Sequence, residues 1–401
     1  MTRTYKFRLY PSSEQKRLLD RQLNLCRELY NAFLEQRIIA HRMEKRINYN
    51  YQQDQIPELK KAFPEYNNIH SQVLQDVARR VDRAYENFFR RVKEIKHGKH
   101  QKAGFPRFKP MNRYRSITYP QSGFRIIEKG GLKLSKIGTI RMFMHRGIDG
   151  KIKTLTISRD RVGDWFASFS VGTAAHSENV EVPDQGGVGI DLGITHLAAM
   201  SDGTFIDRPH FLAKSEKLLK RDQRHLSRKK KGSNNRGKQK VKVAKRQRKV
   251  KRQREDFLHK VSNALVDSNS FLAFENLNIK GMVKNHHLAK RILDASWGML
   301  VQYTSYKAES AGKVVVQVNP RNTSKACSRC GWLKDDLKLS DRIFHCNDCG
   351  LEIDRDLNAA INIHRLGMIK IGRGTPKFTP AEIRALPAMA TQVAEAGSPR
   401  L

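Results

Sequence analysis

Four of the five cysteines have the spacing of a metal site. They form two Cys-x-x-Cys pairs, Cys327 with Cys330 and Cys346 with Cys349, and fifteen residues separate the pairs. Each pair can bind a metal ion from a tight turn, and a glycine follows each pair directly. Four thiolates fill a tetrahedral zinc shell and leave no open position for a substrate. The spacing therefore predicts a structural zinc site.

Three acids stand where the neighbouring sequence predicts regular structure. Asp191 lies within a short apolar strand, Glu275 ends a second apolar strand, and Asp356 opens a late helix. A buried carboxylate is unstable without hydrogen bonds or a cation, so each acid needs a partner. Taken one at a time, each has a simpler interpretation: Asp191 as a turn residue, Glu275 as a solvent-facing strand end, and Asp356 as a helix N-cap.

The order of these acids along the chain is more informative than any one of them. The RNase H fold typically combines three such acids. The first lies in a strand that is followed by a hairpin, the second ends another strand, and the third lies on a late helix. Such carboxylates hold two Mg²⁺ ions about 3.5–4 Å apart, one activating water and the other stabilising the leaving 3′ oxygen. The sequence therefore predicts a nuclease whose catalytic and magnesium-binding residues are Asp191, Glu275 and Asp356.

The chain is strongly basic along its whole length. Its 401 residues include 77 Lys and Arg against 39 Asp and Glu, which gives a formal net charge of +38 and a pI near 10.3. Such a surface repels itself unless a polyanion neutralises it, and nucleic acid does so with release of counterions. An anionic membrane is the less favoured partner, because membrane-surface proteins concentrate their charge in one helix or tail.

Several features favour a cytoplasmic location. The start of the chain lacks the apolar stretch of a signal peptide, and nowhere do eighteen apolar residues follow one another. The number of cysteines is odd and four of them cluster, which favours a metal site in a reducing compartment over a disulfide framework. We therefore expect no membrane partner, whereas the oligomeric state is not indicated by the sequence.

The elements that would position these residues begin with a strand and a helical unit. Alternating apolar residues predict a strand at the start, and Ser12 with Gln15 has the spacing of a capping box, which predicts a helix running to about His41. A second long helix with one apolar face runs from about Val73 to Val92. Residues 11–104 thus form a predicted helical domain.

The remaining sequence predicts three further units and a tail. Short alternating runs between 105 and 180 predict a small β-barrel or sheet that the strand 1–10 could join. The predicted nuclease domain comprises 181–320 and 352–370, and the predicted zinc ribbon comprises 321–351. About half of the residues from 214 to 254 are Lys or Arg, which predicts a hairpin of two basic helices that binds along the phosphate backbone of a nucleic acid. The last residues, 371–401, predict a flexible tail.

Several motifs in this order resemble the TnpB family, the transposon-encoded RNA-guided nucleases related to type V CRISPR effectors. The resemblance covers about residues 1–370. The motifs are Gly189–Gly193, Phe274–Leu277, the cysteine pairs, Asp354–Ile363, Pro320–Ser324, Phe105–Lys109 and the segment from Tyr5 to Tyr30.

This resemblance implies a multidomain α+β fold. It comprises a RuvC-like α/β nuclease domain with an inserted zinc ribbon that binds target nucleic acid, a β-barrel wedge domain and a helical recognition lobe. It implies that Asp191, Glu275 and Asp356 are the catalytic residues, and it favours Asp356 over Asp354 because the third acid of the family immediately precedes x-Asn-Ala-Ala. It also implies a guide RNA from the transposon end, a double-stranded DNA target beside a transposon-adjacent motif, and a location at the prokaryotic nucleoid.

Two other functions remain as alternatives. The first is a nuclease without a guide or a transposase, although the acids here follow the order Asp, Glu, Asp and no His-x-His motif occurs. The second is a zinc-ribbon protein that binds nucleic acid without cutting it, for which three buried acids beside a polyanion have no evident use.

Overall fold

The computed structural model describes residues 2–111, 113–128, 130–172, 187–338 and 340–372. The chain divides into two compact units, Met1–Ala175 and His176–Leu401. The predicted tail, 371–401, lies outside the described residues except for its first two positions. The predicted domain boundaries at 180 and 181 also fall outside them.

The first unit combines an antiparallel sheet with helices. Its strands are β1 (Thr2–Tyr10), β2 (Ser116–Tyr119), β3 (Phe124–Ile127), β4 (Gly131–Leu134), β5 (Gly138–Phe143), β6 (Lys151–Arg159) and β7 (Trp165–Gly172). Its helices are α1 (Ser13–Arg42), α2 (Tyr49–Asp54), α3 (Ile56–Ala62) and α4 (Ser71–Lys96), with a 3-10 turn at Pro64–Asn68.

The opening strand is a central member of this sheet. The strand order is β2-β6-β7-β1-β5-β4-β3, and β1 pairs antiparallel with β7 and β5. Tyr5, Phe7 and Leu9 are buried on one face of β1, as the alternation in the sequence predicts. The closure of this sheet into a wedge barrel stays a prediction.

The two long helices share one apolar core with the sheet. In α1 the capping box forms as expected, because the Ser12 hydroxyl accepts from the Gln15 N–H at 3.1 Å and the Gln15 side chain accepts from the Ser12 N–H at 3.0 Å. Leu34 of α1 and Val77 of α4 are fully buried in the same cluster as Phe169 of β7. The division of this unit into separate strand and helical domains stays a prediction.

The second unit is built on a mixed sheet of five strands. Its strands are β8 (Val188–Asp191), β9 (His196–Met200), β10 (Phe205–Asp207), β11 (Phe271–Glu275) and β12 (Val314–Val318), followed by the ribbon strands β13 (Ile343–His345) and β14 (Glu352–Asp354). Its helices are α5 (Phe211–Ser227), α6 (Asn234–Ser268), α7 (Ile279–Met282), α8 (His286–Ala295), α9 (Trp297–Ser310) and α10 (Arg355–Lys370).

The strand order in this sheet is β10-β9-β8-β11-β12. The neighbours β8, β11 and β12 are parallel, whereas β8, β9 and β10 form an antiparallel meander. The turn between β9 and β10 is the predicted Asp-Gly hairpin, in which Gly203 has a φ of +87°. β11 is buried at every residue, which agrees with its continuous apolar sequence.

Helix α10 lies against this sheet at very short range. A Cβ atom on Gly189 of β8 would lie 2.0 Å from the Ala360 carbonyl oxygen, and a Cβ on Gly367 of α10 would lie 2.6 Å from the Ala273 Cβ. Only glycine permits such an approach at these two positions. The close contact fixes the position of α10 relative to β8 and β11.

The basic segment forms the predicted pair of helices, α5 and α6. Ser233 caps α6 by accepting from the Arg236 N–H at 3.2 Å, and the Arg236 side chain donates to the Leu226 and Lys229 carbonyl oxygens at 2.7 and 2.9 Å. The buried Asp222 of α5 accepts from Arg246 of α6 and so joins the two helices. Most other charges of the pair are cations facing solvent.

Candidate active site and zinc ribbon

Two of the predicted catalytic acids end adjacent parallel strands. In the register of β8 and β11, Ile190 lies opposite Phe274, and the next residues are Asp191 and Glu275. The carboxyl ends of parallel strands meet at one edge of a sheet, where ligands of α/β folds bind. Glu275 is only 8% exposed, so it is not the solvent-facing strand end of the simpler interpretation.

The third acid is brought to the same edge by α10. Asp354 is the N-cap of this helix, because its carboxylate accepts from the Asp356 and Leu357 N–H groups at 2.9 and 3.0 Å. Asp356 therefore does not serve as the cap. A Cβ atom on Gly193, two residues beyond Asp191, would lie 4.0 Å from the Asp356 Oδ2. Asp356 thus lies beside the end of β8.

The surroundings of Asp191 and Glu275 disfavour ionisation of both carboxyl groups, because they raise the pKa of each. Burial, followed by the negative charges of Glu275 and Asp356, raises the pKa of Asp191 well above its usual value. Burial also raises the pKa of Glu275, and a hydrogen bond from Thr323 opposes that rise. Arg355 donates to the Asp356 carboxylate at 2.9 Å and partly compensates the negative charge. A divalent cation would remove the repulsion that remains.

The carboxylates are gathered less tightly than the ligands of a single metal ion. Within the described ranges, the four cysteines are the one group of His, Cys, Asp or Glu residues whose ligand atoms all lie within 4.8 Å of one another. A pair of ions about 3.5–4 Å apart needs a wider arrangement of oxygens than one ion does. The three acids therefore do not form a compact single-ion cluster, and their role in metal binding stays a prediction.

The cysteines form the compact cluster that their spacing predicts. The Cys327 and Cys349 sulfurs lie 3.6 Å apart, and the Cys330 and Cys346 sulfurs lie 3.5 Å apart. All four thiols are free. Zn–S bonds of about 2.3 Å in a tetrahedron require sulfur separations of about 3.8 Å. The cluster therefore fits one metal ion of the size and ligand preference of zinc.

Each cysteine pair lies in a turn with the same backbone pattern. The Gly331 N–H donates to the Cys327 carbonyl at 2.9 Å, and the Gly350 N–H donates to the Cys346 carbonyl at 3.0 Å. Both glycines have left-handed φ values, +83° and +70°. A small apolar cluster around the buried Phe344 packs against the turns. This small core is consistent with a segment that needs a metal ion to stay folded.

Thr323 is a residue of this site to which the sequence assigns no role. Its hydroxyl donates to the Glu275 carboxylate, and its exposed fraction is 3%. The only sequence signal is its place in the motif Pro320–Ser324, which contributes to the family resemblance without indicating a contact. Glu275 is 48 positions away, so only the folded chain shows the pair.

The first unit contains a cationic pocket of about 330 Å³. No acid is among the described residues that line it. The cationic and aromatic lining residues are Tyr30, Arg80, Arg83, Lys109, Arg113, Tyr114 and Arg115. Arg80 is paired with Asp76 at 2.7 Å, whereas Arg83 and Arg113 are exposed. The pocket suits an anion such as a phosphate group.

Among the helices in the described ranges, none has the length and hydropathy needed to cross a membrane.

Family models match three parts of the chain. Residues 170–286 match a model described as probable transposase, residues 297–363 match the Cas12f1-like TNB domain, and residues 1–46 match a helix-turn-helix domain. The first two matches span β8 to β11 and the cysteine cluster with most of α10. The three matches follow one another in the order that the motifs in the sequence predict.

Two relatives and one solved structure extend over nearly the whole chain. A protein of Streptomyces pristinaespiralis with the provisional name RNA-guided DNA endonuclease is 33% identical, with 100% of this chain and 98% of that protein covered. InsQ of Escherichia coli K12, which has the same provisional name, is 31% identical, with 90% of this chain and 92% of InsQ covered. The structure of CasPhi-2 (Cas12j) bound to crRNA and phosphorothioate DNA has a TM-score of 0.49 at 12% identity, with 94% of this chain and 93% of that chain covered. Sequence similarity of this extent shows that the chain belongs to the TnpB family.

Proposed function

We propose that this protein is an RNA-guided DNA endonuclease whose second unit contains a RuvC-type nuclease site. The observation that carries the proposal is the meeting of Asp191, Glu275 and Asp356 at one sheet edge, from two adjacent strands and the helix packed across them. The two relatives that cover 100% and 90% of the chain are named for this activity.

The donor set of the site fits magnesium. Three carboxylates supply hard oxygen ligands, and burial together with the charges of Glu275 and Asp356 raises the pKa of Asp191, a repulsion that a bound cation would relieve. When bound, two Mg²⁺ ions would supply an activated water and charge stabilisation at the leaving 3′ oxygen. Glu275 is oriented from the protein side by Thr323, and Asp356 by Arg355. These contacts preset two of the carboxylates before DNA binds.

The cysteine cluster would hold a structural zinc ion. Its four sulfurs complete a closed shell, so this metal would fold the ribbon and take no part in cleavage. The ribbon follows β12 and immediately precedes α10, so its fold determines how the chain enters the helix that carries Asp356.

The basic surfaces would bind the guide RNA and the DNA. The guide would come from the transposon end, and the target would be double-stranded DNA beside a transposon-adjacent motif. The pocket lined by Arg83 and Arg113 and the helix pair α5–α6 supply cations with few acids beside them. Phosphates would neutralise these charges.

The first experiment is to express the full chain with the DNA that flanks its gene and to sequence the RNA that stays bound in high salt. We expect a discrete structured RNA from the 3′ flank, which then directs cleavage of a matched duplex in Mg²⁺. Asp191→Asn should retain RNA and lower the cleavage rate on the order of 1000-fold, since metal ions contribute several kcal/mol to such transition states.

Asp202→Asn is the matched control for this experiment. Asp202 is an exposed acid in the β9–β10 turn of the same sheet, and its carboxylate accepts from the Thr204 N–H at 2.9 Å, a contact that asparagine retains. This variant should cleave like the unmodified protein. Normal cleavage by Asp191→Asn would overturn the assignment of the site, and heterogeneous bound RNA would overturn the guided mechanism.

A transposase is the second candidate, because one matching family model is described in that way. The two functions differ in their products. A nuclease leaves free 5′-phosphate ends, whereas a transposase joins a 3′ end to a new strand. Joined products on a labelled duplex carrying the transposon end would favour the transposase.

A further inference from the structure

The segment between β12 and the first cysteine pair supplies Thr323, the hydrogen-bond donor to Glu275. It turns sharply at Asn322, which has a left-handed φ of +64°, and places the next residue, Thr323, in the protein interior. The Thr323 hydroxyl donates to Glu275 Oε1 and lies 3.1 Å from the Pro320 carbonyl oxygen. A carboxylate is the stronger acceptor of the two, so the hydroxyl hydrogen is directed at Glu275.

Two buried asparagines of α10 hold the backbone around this threonine. The Asn362 side-chain amide donates to the Thr323 and Ala326 carbonyl oxygens at 2.9 and 2.7 Å. The Asn358 amide donates to the same Ala326 oxygen at 2.8 Å, and its carbonyl accepts from the Ser328 N–H at 2.9 Å. Ser328 lies between Cys327 and Cys330. Hydrogen bonds thus run from a metal-binding turn to Glu275.

This network restricts where Glu275 can point. A glutamate has three side-chain torsions, and its position in a metal site depends on what holds it. The Thr323 hydroxyl occupies one carboxylate oxygen and leaves Oε2 for another ligand. Leaving a buried polar group unpaired is costly, so the arrangement in which all of these groups are hydrogen-bonded is strongly favoured. A displacement of Thr323, Asn358 or Asn362 alone would break this pairing, so we expect the three side chains to keep their relative positions.

We propose that Thr323 is a positioning residue that orients Glu275 for metal binding, and that Asn358 and Asn362 couple this orientation to the zinc ribbon. The inference rests on the proposed nuclease site and adds a residue outside its three acids. The first cysteine pair then has two roles, because it holds the ribbon together and it anchors the backbone that carries Thr323.

The test measures binding of Mn²⁺, as a probe, to the full-length protein freed of nucleic acid, by the electron paramagnetic resonance signal of the free ion. Thr323→Val removes the hydroxyl at nearly constant volume, and we expect about 10–100-fold weaker binding, the usual effect of losing a residue that orients a metal ligand. Thr323→Ser keeps the hydroxyl and should restore the affinity. The Mg²⁺ concentration needed for half-maximal cleavage should likewise be higher for Thr323→Val than for Thr323→Ser and the unmodified protein.

Thr304→Val is the control for the loss of a buried threonine hydroxyl. Thr304 of α9 is 0% exposed, and its hydroxyl has no hydrogen-bond partner within the described residues. This variant should bind Mn²⁺ normally. If Thr323→Val binds Mn²⁺ as tightly as Thr304→Val does, the positioning role of Thr323 is overturned. If Asp191→Asn also binds Mn²⁺ normally, the proposed nuclease site itself is wrong, which separates the two failures.

A separate substitution tests the coupling between the zinc ribbon and the orientation of Glu275. Asn362→Leu removes both amide contacts to the segment at similar side-chain volume. We expect it to retain one zinc per chain by metal analysis while its Mn²⁺ affinity falls in the same direction as that of Thr323→Val. Unchanged Mn²⁺ affinity in Asn362→Leu would overturn the coupling and leave the contact between Thr323 and Glu275 to act alone.

Discussion

At the scale of single residues, two acids separated by one position have different tasks. Asp354 accepts two backbone N–H groups at the start of α10, whereas Asp356 contacts Arg355 and lies beside the end of β8. Because Asp354 accepts the free N–H groups at the N-terminus of the helix, the Asp356 carboxylate remains available for a ligand.

This difference predicts opposite outcomes for two equivalent substitutions. Asp354→Asn preserves the capping oxygen, so cleavage and the unfolding free energy should change little. Asp356→Asn should lower the cleavage rate on the order of 1000-fold with little effect on stability. Cleavage of a guide-matched duplex and urea unfolding measure the two effects. The assignment of the third acid would be reversed if Asp354→Asn lost activity and Asp356→Asn kept it.

The placement of the three acids in their strands and helix, and the clustering of the cysteines, could be predicted from the sequence because their neighbours carry strong local patterns. Glu275 follows four apolar residues, and each cysteine pair is followed by glycine. The partners of these residues could not be predicted in the same way. Thr323 and Asn362 contact groups that are distant in sequence, and nothing in their immediate neighbourhood indicates those contacts.

At the scale of elements, the long helices α1 and α4 could be predicted with their apolar faces. Short strands such as β2 and β3, with four residues each, carry too brief an alternating pattern to fix their bounds from the sequence. Their conformation is fixed by pairing with β6 and β4. Helix α6 also extends beyond the predicted basic segment, because buried residues such as Leu258 and Leu265 continue its apolar face.

The contact between β8 and α10 predicts the effect of adding one methyl group. Gly189→Ala would place a Cβ against the Ala360 carbonyl and should destabilise the protein by about 1–3 kcal/mol or more, since backbone atoms must move. Cleavage should fall as well, because α10 carries Asp356.

Gly237→Ala provides the control for this prediction. Gly237 lies within α6, and a Cβ there would meet no atom within 4 Å. Alanine favours the helix by up to about 1 kcal/mol, so this variant should be as stable as the unmodified protein or more so. The close packing of α10 would be contradicted if both variants unfolded at the same urea concentration.

At the scale of the whole molecule, the net charge of +38 makes nucleic-acid binding depend on salt. The logarithm of the affinity should fall linearly with the logarithm of the salt concentration, by about 0.9 for each phosphate contacted. The composition predicts this dependence, but only the folded chain shows which cations share one pocket.

The cationic pocket predicts which charges contribute to that slope. Arg83→Ala with Arg113→Ala should weaken binding and reduce the slope by about 2, one for each lost phosphate contact. The control pair is Arg125→Ala with Lys133→Ala, two exposed cations that face each other across β3 and β4. Fluorescence anisotropy with labelled RNA and labelled duplex DNA, measured separately, shows which nucleic acid uses the pocket. Equal slopes for both double variants would contradict a special role for it.

The late position of α10 also has a consequence for the nascent chain. Asp191 and Glu275 leave the ribosome well before the helix that supplies Asp356 and covers the sheet. The proposed nuclease centre can therefore assemble only after α10 has left the ribosome. Chains that stop prematurely within the ribbon would lack Asp356, so under the proposed function they would be unable to cut.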